Sequence, residues 1–89
     1  MSYTVIWDPK ALKSLEKMER DICKRIVAKV DFAKEEPFLF VERLTGEKLY
    51  KLRVGDYRVI LDIDKRKKEI VVRFAGHRSR IYKILQRVS

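Results

Sequence analysis

The spacing of apolar residues changes along the chain, and the change divides it into a helical part and an extended part. Tyr3 to Trp7 is a short β-prone run. Asp8-Pro9 follows, pairing a residue suited to capping a helix with a proline suited to its first position. Ala11, Leu12, Leu15 and Met18 then recur at helical spacing, while Lys10, Lys13, Glu16 and Lys17 occupy the rest of the cylinder. Asp21 can cap a second helix, whose stripe is Ile22, Cys23, Ile26, Val27, Val30 and Ala33 and which stops before Pro37. Together they predict an αα-hairpin. Phe38 to Gly46 has no period, and its Phe38, Leu39, Phe40, Val41 and Leu44 can either tuck under a sheet or form a docking patch.

From Lys48 the period becomes two, in runs from Lys48 to Val54, Tyr57 to Asp64 and Glu69 to Ala75. Gly55-Asp56 and Lys65 to Lys68 are short enough to be hairpin loops, so the three strands should form an antiparallel meander. After Gly76, Ser79 to Val88 reads as a short helical turn or an irregular tail carrying Ile81, Tyr82, Ile84 and Leu85. The expected fold class is α+β in two layers. An N-terminal strand and helical hairpin pack on one face of an antiparallel sheet, in the order β-α-α-β-β-β. With 89 residues and neither repeats nor linkers, residues 1–89 are expected to form a single domain.

Strand phase decides where the charges go, because side chains two apart share a face. Tyr50, Leu52 and Val54 point one way and Leu49, Lys51 and Arg53 the other. The second run sets Tyr57, Val59, Leu61 and Ile63 against Arg58, Ile60, Asp62 and Asp64. The third sets Ile70, Val72 and Phe74 against Val71, Arg73 and Ala75. Burying the apolar sets under the helices collects Lys51, Arg53, Arg58 and Arg73 on the opposite face, with Asp62 alone placed to offset them. Like charges on neighbouring strands disfavour each other, so an anion site accounts for the cluster better than chance does.

Composition agrees. The chain has 22 Lys and Arg against 13 Asp and Glu, a formal charge of +9 that draws it to phosphate backbones or acidic partners. Lys24, Arg25 and Lys29 on the second helix read as an ordinary solvated face. Its one cysteine, Cys23, cannot close an intramolecular disulfide and reads as a small apolar filler, and no leader or membrane span opens the sequence. A cytoplasmic protein without membrane contact is therefore expected. No cofactor is expected in so short a chain, and one histidine without a carboxylate or cysteine cluster makes no metal site. Gly76 to Tyr82 adds Arg78, Arg80 and the only histidine, His77, with Lys83 just beyond. His77 can shuttle a proton or be a strand-end surface residue, and Tyr82 can stack on an unpaired base or pack. Arg73, Arg80 and Lys83 are further candidates for contact with RNA.

Four features together resemble the RelE/ParE superfamily of toxins, above all its RelE-type members. They are the opening strand and helices, Leu44-Thr-Gly46, the run Tyr50-Lys-Leu-Arg-Val-Gly-Asp-Tyr-Arg58 with its Gly-x-Tyr-Arg, and Gly76-His-Arg-Ser-Arg-Ile-Tyr82. The resemblance implies a ribosome-dependent endoribonuclease that cuts mRNA without a metal, needs no small-molecule cofactor and is silenced by a RelB-like antitoxin. It places Lys51, Arg53, Arg58, Arg78 and Tyr82 at catalytic positions, with His77 as a possible participant. The pattern departs from the best-known members in having Arg53 for lysine and a final stretch two residues shorter. On this reading Lys51 is the base at the 2′-oxygen, Arg53 and Arg58 hold the phosphate, and Arg78 or His77 assists the leaving oxygen while Tyr82 orients the target base. A ParE-like inhibitor of DNA gyrase, without enzymatic activity, is the alternative on the same fold.

Overall fold

A computed structural model describes residues 2–44, 46 and 48–88, with side chains of the last helix described as far as Lys83. The order is β1 (Thr4–Trp7), α1 (Pro9–Glu16), α2 (Arg20–Ala33), a 3-10 turn at Pro37–Leu39, β2 (Val41–Arg43), β3 (Tyr50–Val54), β4 (Tyr57–Asp64), β5 (Glu69–His77) and α3 (Arg78–Val88). The α+β class and the helical hairpin on one sheet face are as expected. Asp8 caps α1, accepting the Lys10 N–H at 2.9 Å, with Pro9 in the first turn. The cap of α2 differs from the expectation: Glu19 stands at the N-cap without a side-chain hydrogen bond, and Asp21 lies in the first turn, where its charge still suits the helix dipole.

Five strands form one sheet in the order β1-β5-β4-β3-β2. The meander β3-β4-β5 is antiparallel as read. Two placements were not legible. β1 does not pack on the sheet but joins its edge, parallel to β5, which makes the sheet mixed. The aperiodic segment supplies the opposite edge, β2, antiparallel to β3. Here the open alternative resolves mostly toward packing. The Phe38 ring stands edge-on to Tyr3 and Tyr50, Phe40 packs on Phe32, and Val41 lies against the core, while Leu39 stays 75% exposed.

The core lies between the helical hairpin and the sheet: Ala11, Leu15, Ile26, Val30 and Ala33 meet Leu52, Val54, Val59, Leu61, Ile70, Val72 and Ala75. Ala75 belongs there, not Phe74, and this corrects the expected phase of β5. Ile60 pairs with Phe74 but Leu61 with Val72, so β5 carries an extra residue, Arg73, in a bulge. One inserted residue reverses the alternation beyond it. Phe74 and Gly76 therefore share the far face with Ile60 and Arg58. That face is not fully wet, because α3 packs back onto β5 and β4. Ile81, 1% exposed, covers Gly76, with its Cδ1 3.5 Å from where a Cβ would stand. Ile60 and Ile81 are buried apart from the main core, as a small second one. Ile84 and Leu85, expected on the same segment, have side chains outside the described residues.

Asp8 does more than cap. Its second oxygen meets Arg73 at 3.3 Å, so one carboxylate ties α1 to β5. The backbone N–H of Lys10, reinforced by Arg73, holds its carboxyl below the usual aspartate value. A depressed folded-state pKa stabilises the fold above the unfolded value and is lost as pH falls through the folded one. Asp8→Asn should accordingly lower the thermal midpoint at neutral pH and shrink its fall below about pH 4, measured by circular dichroism melts across pH. An acid profile identical to that of the parent would show that Asp8 contributes nothing.

Candidate functional site

The register of β3 and β4 gathers the site. Lys51 and Arg53 alternate away from the core residues Leu52 and Val54, and pairing sets Arg53 directly opposite Arg58 and Lys51 opposite Ile60. Arg58 is 8% exposed, the one charged side chain counted as buried among the described residues. Its Nη1 donates to the Gly55 carbonyl at 2.8 Å and the Tyr57 carbonyl at 2.9 Å. The guanidinium is thus held by the carbonyls of the turn and, among the described residues, by no carboxylate. Gly55 makes the turn possible at φ +59°, a conformation costly for residues with a Cβ.

The second turn of α3 brings Tyr82 over Lys51. Lys51 Nζ lies 5.6 Å from the centre of the Tyr82 ring. Hydrogen bonding from Arg58, then the charge of Lys51, holds the Tyr82 phenol below the ordinary tyrosine value against a weaker opposing desolvation. Across the strand, Glu42 approaches Lys51 at 3.6 Å. Glu42 was not legible in the sequence, because it is placed by β2, and only the Glu42–Lys51 register of that short strand could have found it. An ion pair with so exposed a carboxylate is weak, and a phosphate can displace it.

Lys51, Arg53, Arg58 and Tyr82 therefore converge. Other candidates lie elsewhere. Arg73 is on the far face, in the bulge level with Ile60 and Leu61 and so roughly 7–10 Å along β4 from Arg58, at about 3.4 Å per residue, and is engaged by Asp8 and by Asp62 at 3.6 Å. Of the four expected cations, offset by Asp62 alone, Arg73 is held by Asp8 as well as Asp62 and Lys51 has Glu42 beside it, so the expected cluster is corrected in its pairing. His77 pairs with Tyr57 and so turns to the helical-hairpin face, its ring edge-on to Tyr57 with centroids 5.5 Å apart. Its Nδ1 accepts the Ser79 N–H at 3.3 Å and sits 3.0 Å from the Ser79 hydroxyl, capping α3. The reading of His77 as a residue beside the leaving oxygen has no support in this placement. Arg78 starts α3, where its N–H donates to the Asp56 carbonyl at 2.8 Å and its side chain is exposed. Arg80 and Lys83 are exposed further along α3.

The arrangement can bind a phosphodiester at Arg53 and Arg58 and present an amine and a phenol to its oxygens. Among the described residues, no group of three or more His, Cys, Asp or Glu stands ready to hold a metal ion, and no helix is long and apolar enough to cross a membrane.

No curated protein sequence matches the chain. Solved structures do. The toxin–antitoxin complex RelBE2 of Mycobacterium tuberculosis contains a chain superposing with a TM-score of 0.82 at 25% identity, over 86% of this chain and 92% of that one. The archaeal RelE–RelB complex of Pyrococcus horikoshii gives 0.76 at 30% identity, over 90% and 99%. A doubly arginine-to-alanine substituted Escherichia coli toxin RelE, in the free state, gives 0.75 at 26% identity over 100% of both chains. The family described as ParE toxin of type II toxin-antitoxin system, parDE, matches residues 5–82. With its sheet, hairpin and C-terminal helix in the same arrangement, the chain belongs to this family of toxins, within the RelE/ParE superfamily.

Proposed function

We propose that the chain is a RelE-like toxin that cleaves mRNA on the ribosome in the cytoplasm and is neutralised by a RelB-like antitoxin. The observation carrying this reading is the convergence of Lys51, Arg53, Arg58 and Tyr82 on one sheet face. In the proposed step the 2′-oxygen of a nucleotide attacks its own 3′-phosphorus. The O2′–P bond forms as the P–O5′ bond breaks, leaving a 2′,3′-cyclic phosphate and a 5′-hydroxyl. The 2′-hydroxyl proton passes to Lys51, which acts as base in its neutral amine form after giving up its own ammonium proton, and the departing 5′-oxygen takes a proton from a neighbouring donor. Arg58 and Arg53 meet the charge that builds on the non-bridging oxygens. Tyr82, beside Lys51, orients the target nucleotide, and its lowered phenol pKa suits it to supply that proton, for which an arginine side chain is in general too weak an acid.

The match to the ParE description supports a second reading, a gyrase inhibitor without enzymatic activity. One experiment separates the two: add the protein to a translation extract, map the mRNA ends, and run a gyrase supercoiling assay beside it. Codon-phased cuts with supercoiling unaffected are expected. Blocked supercoiling with intact messages would replace the nuclease reading by the second.

A further inference from the structure

The cationic surface does not end at the sheet. Between α2 and the β3–β4 turn runs an open groove of about 420 Å³, lined by Arg25, Ala28, Lys29, Phe32, Arg53 and Val54, with no carboxylate among its described lining residues. The Gly55 turn joins this groove to the site. From one side Arg58 donates to the Gly55 carbonyl at 2.8 Å; from the other, Arg25 Nη2 lies only 2.8 Å from where a Gly55 Cβ would be. Arg53, directly opposite Arg58, lines the groove as well. The cations Arg58, Arg53, Arg25 and Lys29 thus follow one path around the hairpin. In sequence, Arg25 and Lys29 look like an ordinary helix surface, and only the fold brings them beside Arg53.

We propose that this groove binds a second stretch of single-stranded RNA, continuous with the strand held at Arg58. Its phosphates lie along Arg53, Arg25 and Lys29, and a base stacks on Phe32. The inference rests on the nuclease reading for its ligand. Four cations with no ion-pair partner among the described residues suit a polyanion. Phe32 is 64% exposed, with Phe40 edge-on to it at 5.2 Å, so ring surface remains open to a base. A docked protein helix would need several large apolar anchors at i, i+3, i+4 and i+7. The groove offers Phe32, the small Ala28 and a Val54 that is already buried.

The test uses the full chain and RNA made uncleavable by 2′-O-methylation, so that binding is read independently of cleavage. For a long single strand, R25Q/K29Q should bind about tenfold more weakly at low salt, with a log–log salt slope shallower by about 1.4 than the parent's. Phe32→Ala should bind about fivefold more weakly or worse. A trinucleotide, filling only the site at Arg58, should bind both variants as it binds the parent, and unchanged melting curves exclude misfolding. Equal affinity and slope for parent and R25Q/K29Q on the long strand would overturn the groove, even if the parent cuts messages in a translation extract. An acidic amphipathic peptide that binds the parent but not R25Q/K29Q, with RNA binding unaffected, would overturn it in favour of a protein occupant. Conversely, groove-dependent RNA binding by a parent that leaves messages intact would uphold the groove and remove the nuclease reading.

Discussion

Arg58→Ala should slow cleavage of translated mRNA by about 100- to 1,000-fold, the loss found when one preorganised donor to a developing oxyanion is removed. The size follows from how this guanidinium is held. Two carbonyls of its own turn fix Nη1, and burial to 8% exposure restricts its motion, so little reorganisation accompanies phosphate binding. Arg58→Lys should recover only part of the rate, because an ammonium keeps the charge but lacks the planar fork that meets two phosphate oxygens. Stability should fall by about 1–2 kcal/mol. The like-charge opposition of Arg53 and Arg58, tenths of a kcal/mol to about 1 kcal/mol, is relieved, while two carbonyls lose donors worth about 1 kcal/mol each. Single-turnover mapping of mRNA ends, paired with a thermal melt, checks both halves. A folded Arg58→Ala protein that cuts at the parental rate would leave the proposed phosphate site without its main element.

Ile81→Ala should release α3 from the sheet and abolish most activity while the main core survives. Ile81 is buried against Gly76 on the far face, apart from the residues that join the helical hairpin to the sheet. Truncating a buried isoleucine costs about 2–5 kcal/mol. An 11-residue helix has little stability of its own to set against that, since isolated helices shorter than about 12–15 residues are marginal in water. With α3 loose, Tyr82 leaves Arg58 and Lys51, and the site loses the group that orients the target nucleotide. Hydrogen exchange should show faster exchange across residues 81–88 with near-parental protection in β3, β4 and β5. Gly76→Val should act similarly from the other partner. A single Cβ would meet Ile81 at an ordinary 3.5 Å, but branched methyl groups would enter its space. Uniform loss of protection across the sheet would mean that Ile81 is part of the main core after all.

Both predictions concern groups whose presence is written in the sequence and whose company is not. Helix positions in α1 and α2, the three meander strands and the two hairpin loops follow from spacing and turn residues. Those signals are local, and physics acting over a few residues decides them. The phase that puts Lys51, Arg53 and Arg58 opposite the core is local too, because β3 and the first half of β4 alternate without interruption.

What the sequence could not decide is what depends on contacts between distant residues. The bulge at Arg73 reverses β5 beyond it, and no local residue type announces it. Ala75 therefore enters the core in place of Phe74, and His77 turns away from Arg58. β1 finds β5 across 64 residues or more of chain, from Trp7 to Val72, a pairing that short-range periodicity does not carry. β2, three residues long in an aperiodic stretch, exists only because β3 offers it an open edge, and with it comes Glu42 beside Lys51. Asp62 was the one offset that strand phase offered the cations; Asp8, far from Arg73 in sequence, reaches it as well. Local alternation thus determined which faces the strands of the hairpin present, and tertiary packing alone decided which charges stayed unpaired and which were joined into one site.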